Sequence, residues 1–190
     1  VTPEPDNILE NGRFETCVLT PWTFYCAWDL GAMGTWQLTD GTCILRPQQL
    51  CTTPVSWHIQ LEQILNATQL NRLQQGASYT LTFDAWGETE NMPCHVFFGE
   101  FGGDYTALID ETFELSRTPE TFTFEFEMST VYPAMKLEFD NATRIAWAGF
   151  DNVSLVKKAP DALEDGEEIS GGISISPNPA GNLLYVSTAN

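Results

Sequence analysis

Four stretches of the chain alternate apolar and polar residues with a period of two. Tyr79, Leu81, Phe83 and Ala85 alternate with Thr80, Thr82, Asp84 and Trp86. Phe122, Phe124, Phe126 and Met128 alternate with Thr121, Thr123, Glu125 and Glu127. Trp57, Ile59 and Leu61 interleave with His58, Gln60 and Glu62, and Leu137 and Phe139 with Lys136, Glu138 and Asp140. Successive side chains of a strand point to opposite faces, so each stretch predicts a strand with one buried face. Turn-forming clusters separate them: Gln75-Gly76, Gly102-Gly103-Asp104, Thr118-Pro119 and Asp140-Asn141. One helical turn or two is expected near Asn66–Arg72, and no alternation of strands with helices is seen. The pattern predicts an all-β protein, a sandwich of antiparallel sheets.

With the apolar positions turned inward, the outward set contains Trp86, His58, Gln60, Glu62, Asp84 and Asp140. A tryptophan beside amides and carboxylates on an open sheet face suits a ligand cleft. It equally suits a tryptophan that closes its strand beneath a loop.

Residues 7–157 read as one unit, preceded by a short extension over 1–6. Residues 158–172 are acidic and small, without aromatics, which is linker composition. A second apolar stretch covers 173–190, too short to bury a core of its own. The start, Val1-Thr2-Pro3, lacks the basic-then-apolar order of a signal peptide, so a removed leader or a cut from a longer chain is expected.

Charge narrows the partners. The 190 residues carry 26 acids against 8 bases, a net −18. Such a surface repels phosphate backbones and anionic lipid heads, which excludes nucleic acid and membrane surfaces as expected partners. The uncharged apolar runs are too short for a membrane-spanning helix. Five cysteines (Cys17, Cys26, Cys43, Cys51 and Cys94) show no metal-binding spacing. Cys17 with Cys26, and Cys43 with Cys51, lie close enough in sequence to staple a loop each. Four cysteines allow three pairings, and the spacing does not choose among them. Disulfides would imply an oxidising compartment and leave Cys94 as the odd thiol.

Three segments then occur in a telling order. Asn7-Ile8-Leu9-Glu10-Asn11-Gly12-Arg13-Phe14-Glu15 is followed by Pro21-Trp22. Next come Trp57-His58-Ile59-Gln60-Leu61-Glu62-Gln63 and Gly76-Ala77-Ser78-Tyr79-Thr80-Leu81-Thr82-Phe83-Asp84-Ala85. The last is Phe150-Asp151-Asn152-Val153-Ser154-Leu155. Over residues 7–157 this order resembles carbohydrate-binding modules of the family 4, 9 and 22 group.

The resemblance implies a β-sandwich jelly-roll of two antiparallel sheets, with a concave face that holds a single β-glycan chain of xylan or β-glucan type. It implies no catalysis by the chain itself, although such modules are often appended to glycoside hydrolases. Tyr25 after Trp22, and Tyr105 at the end of a Gly-rich loop, take the positions of cleft aromatics. His95 takes a polar cleft position, and Gln60 and Trp86 join the site from their outward phase. An aromatic ring covers the C–H face of a sugar, while amides and carboxylates bind its hydroxyl rim.

The resemblance also implies a structural calcium ion between Glu15, just after a first strand, and Asp151. The apolar phase slips across Asp151-Asn152, which predicts a bulge there. The tail from Ile173, with Pro177-Asn178-Pro179, is similar to the truncated start of a type IX secretion sorting domain of Bacteroidota. It implies a secreted or cell-surface protein that meets the secretion machinery through this tail. No Gly-x-Ser-x-Gly or His-Glu-x-x-His motif supports an enzyme. The alternative is a structural or adhesive surface module with the same fold and no working cleft.

Overall fold

The computed structural model describes residues 6–159 and two strands of the tail. The main unit is built from two five-stranded antiparallel sheets. The first sheet runs β1 (Thr23–Cys26), β4 (Ile59–Ile64), β9 (Met135–Asp140), β6 (Met92–Glu100), β7 (Ala107–Leu115). The second runs β2 (Met33–Thr39), β3 (Thr42–Gln49), β10 (Ala148–Lys157), β5 (Ser78–Gly87), β8 (Glu120–Glu127). One short helix, α1 (Ala67–Leu70), sits in the expected place, with Asn66 accepting from the Gln69 amide at its N-terminus. This is the all-β sandwich that the alternation predicts, in the jelly-roll form that the resemblance implies.

Period-two burial explains the layers. Along β5, Tyr79, Leu81, Phe83 and Ala85 are buried, and Phe83 packs against Phe122 and Phe124 of the neighbouring β8 and against Phe113 and Phe139 of the facing sheet. Leu137 and Phe139 of β9 enter the same core, and Phe139 stacks on Phe150 at 4.6 Å. Aromatic contacts of this kind add to area burial and fix the spacing of the two sheets.

The segment before β1 differs from expectation. Residues 7–14 form no strand but a chain of turns, with positive φ at Asn11 and Phe14. It clasps β10 through Ile8 N–H to the Leu155 carbonyl and Val153 N–H to the Gly12 carbonyl. Gly12 is required there: a Cβ would lie 2.0 Å from the Val153 carbonyl oxygen. Trp57 and His58 likewise fall in a 3-10 turn before β4 rather than in the strand. The predicted slip at Asp151-Asn152 is present as a register shift in β10 between Asp151 and Ser154.

The cysteines are all thiols, so neither loop is stapled. Cys43 and Cys94 are consumed by packing in the main core, while Cys17 is exposed. Burial pushes the Cys43 thiol up to about 12. Cys26 and Cys51 lie in a second, smaller core with Ala27, Ala32, Ile59 and Ala142.

The chain divides into two units at Lys158 and Ala159. In the second, β11 (Ile173–Pro177) pairs antiparallel with β12 (Leu184–Thr188). The rest of the tail, with Asn178-Pro179 and most of the acidic segment, lies outside the described residues, as do residues 1–5.

Candidate functional site: the outer face of the first sheet

Cross-strand register brings distant residues onto one face, because directly opposed residues point the same way. Across the first sheet Tyr25 opposes Gln60, Gln60 opposes Asp140, and Asp140 opposes His95. The next row down is Thr23, Glu62, Glu138, Phe97 and Asp110. Below it stands Lys136, opposed by Ile64 and Gly99. These positions alternate with Leu61, Leu137 and Phe139, which enter the core, so they line the outer face. They are nevertheless shielded: Gln60, Lys136, Glu138 and Asp140 are all buried. The floor is therefore recessed.

Two cations organise it. His95 Nδ1 lies 2.9 Å from Asp140 Oδ2, and Nε2 lies 2.7 Å from Asp110 Oδ1. A ring that meets a carboxylate at both nitrogens must donate from both, so it is an imidazolium. The hydrogen bond to Asp140 is the main cause that raises its pKa to about 9; burial opposes this and Asp110 adds to it. Lys136 Nζ bonds Glu62 Oε2 at 3.1 Å and pairs closely with Glu138. Burial works against the Lys136 charge, but the two carboxylates more than restore it. Gln60 donates to Glu138 Oε2 at 2.9 Å. Burial, then the charge of Asp140, pushes the Glu138 carboxyl up to about 7. Asp140 Oδ1 is buried without a hydrogen-bond partner among the described residues.

Aromatics border this floor. Tyr25 is exposed on the edge strand β1, and Glu62 and Lys136 are among the charges that act on its hydroxyl. Tyr105, also exposed, sits with φ of 54° in the loop between β6 and β7. Its ring centre is 5.7 Å from Lys136 Nζ, and that of Phe101 is 5.3 Å away. Four of the five expected site residues, Tyr25, Gln60, His95 and Tyr105, thus share one face.

Trp86 does not join them. It lies on β5 of the second sheet, opposite Gly149, with its ring against that glycine. Its outward phase is as expected, but that face is on the other side of the sandwich. The sequence pattern does not single out Lys136, Glu138, Asp110 or Phe101. Lys136 and Glu138 alternate like a solvated face; their burial follows from the neighbouring strands and loops.

Asp151 lies at the β10 bulge, where the charge of Glu15 reaches it. Burial is the main cause that raises the Asp151 carboxyl, and nearby Asp84 and Glu15 add to it while Arg13 opposes. Hard carboxylates suit calcium in kind. Asp84 is already engaged by Thr121 Oγ1 and Asn152 Nδ2. No group of three or more metal-binding side chains occurs among the described residues, so carbonyl oxygens would have to complete a shell. A polar cavity of about 290 Å³ opens beside this junction, lined by Arg13, Thr82, Asn152, Val153 and Ser154, well away from the recessed floor.

No family model matches the chain, and comparison with curated proteins gives no significant match. Solved structures do match. A CBM4 structure superposes with a TM-score of 0.66 at 22% identity, covering 78% of this chain and 99% of that one. The second N-terminal cellulose-binding domain of β-1,4-glucanase C from Cellulomonas fimi gives 0.62 at 20% identity, covering 84% and 100%. The CBM22-1 xylan-binding domain of Xyn10C from Paenibacillus barcinonensis gives 0.54 at 10% identity, covering 82% and 97%. The chain has the β-sandwich jelly-roll fold of these carbohydrate-binding modules.

Proposed function

We propose that this chain is a non-catalytic carbohydrate-binding module that takes a single β-glycan chain, of xylan or β-glucan type, along the outer face of the first sheet. The observation that carries the reading is a recessed polar floor bordered by two exposed tyrosines, Tyr25 opposite Gln60 on the edge strand and Tyr105 in the loop between β6 and β7. The rings would cover sugar C–H faces, and Gln60, His95 and the floor carboxylates would meet hydroxyls. The fold shared with modules that bind cellulose and xylan supports it. Catalysis by the carboxyls of this floor is disfavoured because Glu62 and Glu138 both hold Lys136, and Asp110 and Asp140 both hold His95. An acid–base pair needs carboxyls free to exchange protons with substrate.

A calcium ion held by Glu15 and Asp151, with carbonyl oxygens, would tie the segment before β1 to β10. Export to the cell surface or medium, through a tail of sorting-domain type, fits a glycan ligand. Affinity electrophoresis against xylan, mixed-linkage glucan, laminarin and amorphous cellulose tests the reading. Retardation by one of these supports it. Migration unchanged in all four favours the structural or adhesive module, and release of reducing sugar favours an enzyme.

A further inference from the structure

We propose that Lys136 is a positioning residue: it fixes the aromatic loop of the cleft to the polar floor. The inference rests on the reading of this face as a glycan cleft and assigns a role to a residue that reading does not use. Lys136 lies on β9, the central strand of its sheet, and is 5% exposed. A buried ammonium needs compensation on every side. Two carboxylates, Glu62 and Glu138, supply it from the floor. The rings of Phe101 and Tyr105, at 5.3 and 5.7 Å, supply it from the loop. These rings stand 6.3 Å apart, edge to face.

The loop's other ties run through its backbone, and Glu100 N–H bonds the Thr106 carbonyl at its base. Phe101 N–H bonds the Ala134 carbonyl, and Glu100 Oε2 accepts from the amides of Asp104 and Thr106. At its base the strand approaches so closely that a Cβ on Gly99 would lie 2.3 Å from the Thr106 carbonyl oxygen. None of these contacts reaches the Tyr105 ring. The Tyr105 ring faces the ammonium of Lys136 and packs edge to face on Phe101, which faces the same ammonium. Truncating the lysine therefore frees the ring and leaves the strand pairing intact. Because Lys136 is already engaged by two carboxylates, it acts on the ligand through Tyr105 and not as an anion receptor.

Two measurements on the full chain test this. Amide hydrogen exchange compares wild type with Lys136→Met and Lys136→Arg. Faster exchange at Phe101, Asp104 and Thr106 in Lys136→Met, with the β6 and β9 amides unchanged and Lys136→Arg close to wild type, supports the proposal. Unchanged loop exchange overturns it, whatever happens to glycan binding. If Lys136→Met does not fold, combining it with Glu62→Gln and Glu138→Gln removes the unpaired charge and permits the same comparison. The second measurement is a double-mutant cycle by calorimetry with soluble xylan or mixed-linkage β-glucan. Lys136→Met should weaken binding about tenfold in wild type and hardly at all in Tyr105→Ala. Additive losses overturn the proposal. If wild type binds neither polysaccharide, the glycan reading has failed and hydrogen exchange alone decides the role of Lys136.

Discussion

His95 and Asp140, 45 residues apart in sequence, are joined by a 2.9 Å hydrogen bond between Nδ1 and Oδ2 on adjacent strands. The bond locks the imidazole on the floor and, with Asp110 on the other nitrogen, keeps it charged. Stability should follow that proton. The folded pKa of about 9 lies above the ordinary 6.5, so the contribution is fully present below pH 6.5 and is lost as pH rises through about 9. Glu138 acts in the same direction at lower pH: raised from 4.5 to about 7, it contributes below 4.5 and loses that contribution as pH rises through 7. Urea midpoints measured from pH 5 to 10 should fall with pH. His95→Gln should flatten the upper part of that profile and Glu138→Gln the lower part.

The two partners of His95 should differ in weight. The Asp140 side chain is 2% exposed and that of Asp110 65%. Breaking a buried pair leaves an uncompensated charge, whereas an exposed pair is screened by water. Asp140→Asn should destabilise by roughly 3 kcal/mol and Asp110→Asn by less than about 1 kcal/mol in denaturant unfolding. Equal effects would mean that the imidazolium does not depend on burial for its partner.

Calcium makes its own prediction. An ion bound only by the folded state stabilises it by mass action. Excess chelator should lower the melting temperature, and so should Glu15→Gln or Asp151→Asn, with glycan affinity little changed. A melting temperature indifferent to chelator would argue that Asp151 is simply a carboxylate crowded by Asp84 and Glu15.

Much of this fold is legible in the alternation of β5, β8 and β9, because period-two patterning separates core-facing from outward residues. The slip at Asp151-Asn152 is legible for the same reason. Parity says inside or outside, however, and not which of two sheets a strand joins. Gln60 and Trp86 both point outward, yet they leave the sandwich on opposite sides. A first strand is expected just before Glu15, but positive φ at Asn11 and Phe14 turns that segment away from any ladder. Lys136 and Glu138 pass for solvated residues on sequence alone. Their burial arises from long-range pairing with Glu62 and Gln60 and from the loop that carries Phe101 and Tyr105.

The central claim is a glycan cleft on the first sheet, and calorimetric titration with the polysaccharide that gives the strongest retardation tests it most directly. Wild type, Tyr25→Ala, Tyr105→Ala and Trp86→Ala are compared, each with its fold verified. Each tyrosine removed should cost roughly 1–3 kcal/mol of binding, while Trp86→Ala, on the opposite face, should bind as wild type does. Wild-type affinity in both tyrosine variants, or a loss confined to Trp86→Ala, would contradict the account.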